Sequence, residues 1–222
     1  MLKKSFFVNW YKNYGRDFPW RRDNIHPFHS LITEMLLRQT RAGAVAKLWS
    51  EIIDRYPDPY FLSNVDQSVL AGELKLLGFG NQKADALISA SKWLIQYHSG
   101  KVPSNLEKLL AIPHVGIYAA RAVLSFAFNK RIEIVDVNIQ RFFARYYGLE
   151  VKTDVRRNPH IIEIAKQSLP KGAKSTQHHN YGLLDFTAEI CIARNPRCYI
   201  CPLSSSCWWG RSQVSGTENN EG

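Results

Sequence analysis

Apolar residues recur along this chain at the spacing of helix faces, and no stretch of useful length alternates in the two-residue rhythm of a strand. Leu31, Met35, Leu36, Ala42, Val45, Leu48, Ile52 and Ile53 fit helices from about Ser30 to Tyr56, broken near Ala42-Gly43 and stopped by Pro57-Asp58-Pro59. Val65 to Leu76 reads as a short helix ended by Gly78-Phe79-Gly80, and Gln82 to His98 as a longer one ended by Gly100. Leu106 to Ile112 is a further helix, cut by Pro113 and Gly116. Tyr118 to Phe128, Val137 to Tyr147, Ile161 to Leu169 and Tyr181 to Cys191 complete the set. Ile132-Glu133-Ile134-Val135 is the one extended candidate, Lys152 to Pro159 a charged connection, and Ser212 to Gly222 a polar tail expected to be disordered. The pattern predicts an all-α protein.

With 222 residues, 45% of them hydrophobic, the chain can bury a substantial core as one large domain or two small ones. No apolar run reaches the roughly 20 residues that a membrane span needs. Asn9, Lys12 and Arg16 interrupt the N-terminal segment before a signal-peptide core can form. A soluble, intracellular, cytoplasmic protein is expected. Twenty-nine basic residues against 19 acidic ones give a net charge of +10, which shifts the expectation towards a polyanionic partner without identifying it.

Cys191, Cys198, Cys201 and Cys207 are the only cysteines, spaced C-x6-C-x2-C-x5-C with Pro202 after the third. Four are too few for a disulfide scaffold in a chain this long, and their clustering indicates a metal site in a reducing compartment. Four soft sulfur ligands suit either a [4Fe-4S] cluster or a tetrahedral structural zinc.

Leu110 to Val123 reads as a helix, a tight Pro/Gly turn and a second helix of small residues. Such a hairpin brings backbone N–H groups to the start of the second helix, where they can hold a phosphate without reading base sequence. His114, Val115 and Gly116 are its candidate DNA contacts. Asp136 follows Ile134-Val135 and precedes a helix, so by position alone it is a helix cap.

The hairpin Ile112-Pro113-His114-Val115-Gly116, then Asp136, then the four-cysteine loop together resemble the helix-hairpin-helix DNA glycosylases that carry an iron-sulfur cluster, the endonuclease III and MutY superfamily. The likeness runs from about Asp17 to Trp208. Phe18-Pro19-Trp20-Arg21 and Thr33-Glu34-Met35-Leu36-Leu37-Arg38-Gln39-Thr40 are similar both to MutY-type adenine glycosylases and to the thymine-DNA mismatch glycosylases known as MIG. Leu36-Leu37-Arg38, Asn81-Gln82-Lys83-Ala84 and Val115-Gly116-Ile117-Tyr118 favour the thymine branch. So does a chain that ends soon after its cysteines, where MutY-type enzymes usually add a second domain.

The resemblance implies two helical domains with a DNA-binding cleft between them. Residues 25–131 would carry the hairpin, residues 1–24 with 132–211 would form an iron-sulfur domain, and 212–222 would be the tail. It assigns the cysteines to a structural [4Fe-4S] cluster. It places Asp136 as the carboxylate that stabilises positive charge on the sugar, Tyr118 where bifunctional relatives carry a Schiff-base lysine, and Glu34 where MutY-type enzymes carry the acid that protonates adenine. Arg38 and Gln39 match the wedge that fills the hole left by an extruded base. Lys83, Arg121, Arg194, Arg197 and Arg211 are candidate phosphate contacts.

The implied activity is a monofunctional glycosylase on double-stranded DNA, removing thymine and uracil mispaired with guanine. It would act as a monomer and pass abasic sites to a downstream endonuclease. Adenine removal opposite guanine or oxidised guanine is the alternative reaction, and a non-catalytic iron-sulfur DNA-binding protein the alternative of another class. Two residues depart from the pattern. His114 replaces the first glycine of the hairpin turn, a position demanding of the backbone. Tyr181 stands where adenine enzymes carry glutamine and thymine enzymes leucine, a base-pocket position.

Overall fold

The computed structural model describes residues 2–150 and 158–215 and contains no strand among them. The described residues form twelve α-helices: α1 (Phe6–Tyr14), α2 (Pro27–Leu36), α3 (Ala42–Arg55), α4 (Pro59–Asn64), α5 (Gln67–Glu73), α6 (Gly80–His98), α7 (Leu106–Leu110), α8 (Ile117–Phe126), α9 (Val137–Tyr147), α10 (Pro159–Ser168), α11 (Ala173–Glu189) and α12 (Trp208–Ser215). The chain divides into two compact units, Asp17–Lys130 and Met1–Arg16 with Arg131–Gly222. The first boundary therefore falls at Arg16, ahead of the expected residue 24, because α1 and its exit belong with the C-terminal helices.

In the Asp17–Lys130 unit, short polar side chains start α4, α5 and α7. Asp58 accepts from the Tyr60 and Phe61 amides ahead of α4, with Pro59 at its first position, and Asp66 does the same for α5 with Ser68 and Val69. The region expected to hold helices from Ser30 to Tyr56 is α2 and α3, and the break lies at residues 37–41, just ahead of the expected Ala42-Gly43, where Gln39 takes a left-handed φ of 55°. Seven consecutive residues of α2, Ser30 to Leu36, are buried. It packs against α8, α6 and α3, and α8 contributes Ala119, Ala120, Ala122 and Val123, whose small side chains let the helices approach closely.

In the other unit, α1 lies along α11 and both pack with α9. Phe7, Phe142 and Phe186 meet pairwise edge to face at 5.3–5.6 Å, an arrangement that aromatic rings favour. The helices cross at Gly182, where a β-carbon would stand 2.0 Å from the Phe7 carbonyl oxygen. Ile132 to Val135 is not a strand; it runs without regular structure, buries Ile134 and Val135, and is tied by Asn180 Nδ2 donating to the Ile132 carbonyl. Most of the charged connection, residues 152–157, lies outside the described residues, as does most of the tail. Residues 212–215 finish α12 rather than starting the tail.

Candidate functional site

Asp136 caps α9. Its Oδ1 accepts from the backbone amides of Asn138 (2.9 Å) and Ile139 (2.7 Å), and its Oδ2 accepts from Asn138 Nδ2 (2.9 Å). Asn138 Oδ1 in turn accepts from Arg141 Nη1 at 2.8 Å, and Arg141 Nη2 donates to the carbonyls of Cys191 (2.8 Å) and Thr187 (3.3 Å). A continuous chain of hydrogen bonds thus runs from the Asp136 carboxylate to the backbone of the first cysteine. Sequence reasoning passed over Asn138 and Arg141. Their signal was the three-residue spacing that puts them on one face of α9 directly after the cap.

Cys191, Cys198, Cys201 and Cys207 come together around one cavity, walled by Arg145, Tyr146 and Trp209 among others. No three His, Cys, Asp or Glu side chains among the described residues form a group able to hold a single metal ion. The sulfurs nevertheless sense one another. Burial pushes the Cys201 thiol up to about 11, the Leu203 backbone amide pulls against it, and Cys207, Cys191 and Cys198 add their repulsion. Arg145 supplies opposing charge: Nη1 lies 3.7 Å from Cys191 Sγ and 2.7 Å from the Ile192 carbonyl, Nη2 donates to Ala193, and its guanidinium sits 5.3 Å from the Trp209 ring centroid. Four soft donors around a cavity with a cation alongside fit a sulfur-ligated metal group. The exposed Arg194 and Arg197 lie on the same loop.

The hairpin turn sits in the Asp17–Lys130 unit. His114 takes φ 64°, so a side chain does occupy the left-handed position. Its carbonyl accepts from Arg38 Nη1 at 3.1 Å, and its Nε2 lies 3.5 Å from Asp85 Oδ2. Val115 is buried beneath the turn. Gly116 precedes α8 with an ordinary extended backbone, and a β-carbon there would meet nothing within 4 Å. Neither conformation nor packing within the chain demands glycine, and no side chain caps α8. The start of that helix is open beside Gly116.

Tyr118, on the first turn of α8, is half-buried. Glu34 is 7% exposed, buried on α2. Arg38 and Gln39 are both exposed. Lys83 is not a phosphate contact: its ammonium is inside, donating to the Leu36 (2.9 Å) and Arg38 (2.7 Å) carbonyls. Tyr181 is 4% exposed, its ring 5.4 Å from that of Tyr11.

A family model described as HhH-GPD superfamily base excision DNA repair protein matches residues 32–167. A thymine/uracil-DNA glycosylase of Methanothermobacter thermautotrophicus is 34% identical over 91% of the chain and 90% of its own length. An adenine DNA glycosylase of Mycobacterium tuberculosis is 30% identical, over 93% of the chain but 67% of that protein. Among solved structures, that of a thermostable thymine-DNA glycosylase superposes with a TM-score of 0.87 at 32% identity, covering 94% of the chain and 95% of the neighbour.

Proposed function

The chain belongs to the HhH-GPD superfamily of base excision DNA repair proteins, and on that premise we propose that it is a monofunctional DNA glycosylase hydrolysing the N-glycosidic bond of thymine or uracil mispaired with guanine. The observation that carries this reading is Asp136, a carboxylate with both oxygens held in place, in a chain similar over nearly its full length to proteins named for that reaction. Cleaving the bond builds positive charge on the sugar. A carboxylate fixed beforehand stabilises that charge without reorganising at the moment of reaction, and it can orient or deprotonate the water that attacks.

Tyr118 has no amine with which to form a Schiff base, so the product is an intact abasic strand, left for a downstream endonuclease. Glu34, buried on α2, serves the water or the base. A mismatched base costs less to draw out of the stack than a paired one. Arg38 and Gln39 occupy the space it leaves, with arginine donors suited to guanine's acceptor edge. The open start of α8, with His114, Val115 and Gly116, receives a backbone phosphate. Tyr181 shapes the base pocket from its place beside Tyr11.

Cys191, Cys198, Cys201 and Cys207 would hold a [4Fe-4S] cluster, which when bound supplies a structural cross-link between four points of one loop. Arg141 and Arg145 hold that loop to α9 through its backbone carbonyls. The protein acts on duplex DNA as a monomer.

The test is a panel of duplexes carrying G·T, G·U, A·G or adenine opposite oxidised guanine, incubated with excess protein and then treated with alkali. Strand breaks at thymine and uracil are expected. Breaks only at adenine would transfer the protein to the adenine reaction, and none on any duplex would leave a DNA-binding protein without chemistry.

A further inference from the structure

Three non-glycine residues with left-handed backbones, Gln39 (φ 55°), Phe79 (φ 55°) and His114 (φ 64°), line one cavity in the Asp17–Lys130 unit, together with Arg38, Gln82 and Lys83. A side-chain-bearing residue keeps such a conformation only where its surroundings impose it. At Gln39 the restraints lie on both sides. Lys83 reaches from α6 to the end of α2, where the last carbonyls lack helical donors, and its Nζ donates to Leu36 O and to Arg38 O, the carbonyl immediately before Gln39. On the other side Thr40 Oγ1 donates to the Leu77 carbonyl at 2.9 Å. Gln39 itself stays exposed between these fixed neighbours.

Burying an ammonium opposes folding unless it is well paired. Lys83 is 6% exposed, and burial lowers its pKa, with the charge of Arg38 adding to the effect. A lysine that only joined two helices could be replaced by an apolar residue at little cost to packing. What an apolar residue cannot do is bind the Leu36 and Arg38 carbonyls together and fix the backbone at Gln39.

We infer that Lys83 is a positioning residue for base extrusion: by clamping the Leu36 and Arg38 carbonyls it presets the left-handed Gln39 to enter the duplex as the target base leaves. This rests on the wedge role proposed above for Gln39.

The test uses full-length Asp136→Asn protein, so that the DNA stays intact, and a G·T duplex with 2-aminopurine beside the thymine, whose fluorescence rises when its neighbour unstacks. At saturating protein, adding Lys83→Met should cut the fluorescence rise at least fivefold, while affinity for a matched duplex stays within threefold and helix content is unchanged. An undiminished rise at saturation overturns the inference. So does a parallel loss of extrusion and matched-duplex binding, which would mark Lys83 as merely structural. If Lys83→Met does not fold, Lys83→Gln, which retains one donor group, takes its place with an intermediate loss expected and the same two overturning results. Wild-type protein that leaves G·T and G·U duplexes untouched defeats the functional reading; wild-type protein that processes them while the lysine variant still extrudes defeats this inference alone.

Discussion

Asn138 holds both oxygens of Asp136, its backbone N–H donating to Oδ1 and its side-chain Nδ2 to Oδ2, each at 2.9 Å. Capping and the catalysis proposed for Asp136 thus draw on the same carboxylate, and substitution separates them. Asparagine caps a helix about as well as aspartate, so Asp136→Asn should shift unfolding by less than about 1 kcal/mol. The loss of the ionised group should slow single-turnover base release by roughly 100- to 1000-fold, about 3–4 kcal/mol of barrier. Asn138→Ala, which leaves the charge but frees Oδ2, should cost on the order of tenfold. Parallel thermal unfolding and single-turnover assays check both variants.

The monofunctional reaction proposed above rests on Tyr118. Borohydride should trap little covalent complex with the wild-type protein and substantially more with Tyr118→Lys, which restores an amine at that place on α8. Gel analysis of the trapped adduct gives the answer. Strong trapping by the wild type would contradict the monofunctional assignment.

His179 makes stability depend on pH. It is 1% exposed, edge to face with Phe7 at 5.3 Å, with Nε2 3.3 Å from Ser168 Oγ. Burial lowers its pKa to about 4 from an ordinary 6.5, with the Lys4 backbone pulling weakly the other way. Above pH 6.5 the ring is neutral folded or unfolded and contributes nothing. As pH falls below that value the unfolded chain takes up the proton first, so stability declines until about pH 4 and then levels, a total of about 3 kcal/mol from this group. Urea unfolding between pH 7 and pH 4 should show the decline, and His179→Gln should flatten it.

Gly182 sets how closely α1 and α11 approach. Gly182→Ala would place a methyl against the Phe7 carbonyl, so the helices must separate along their aromatic seam. A loss of about 2–4 kcal/mol is expected, above the usual range for overpacking because the obstacle is backbone. The fall in thermal midpoint measures it.

The helices whose apolar stripe faces inward were legible in the sequence, as were the Asp136 cap and the cysteine cluster. α9 matches the expected Val137 to Tyr147, and α6 differs only at its start. The first two turns of α11 were not legible. Ala173 to Asn180 is a polar stretch, yet Thr176, Gln177, His179 and Asn180 are buried by partners distant in sequence. α1 was missed because its aromatic face has meaning only against α11. Glu34 shows the same limit at the candidate site: nothing local distinguishes a buried helix carboxylate from an exposed one. Lys83 shows the reverse, since a lysine in a basic chain suggests DNA and this one is turned inward to cap α2.

The unit built from Met1–Arg16 and Arg131–Gly222 is discontinuous, and the Asp17–Lys130 unit is uninterrupted between its parts. On the ribosome the uninterrupted unit can fold as soon as it emerges. α1, made before the rest of its unit, lacks its main partner until α11 appears, a wait on the order of 10–30 s at roughly 5–20 residues per second. For that interval the faces of Phe7 and Trp10 are open to chaperones, and a nascent chain that stalls before α11 leaves them uncovered.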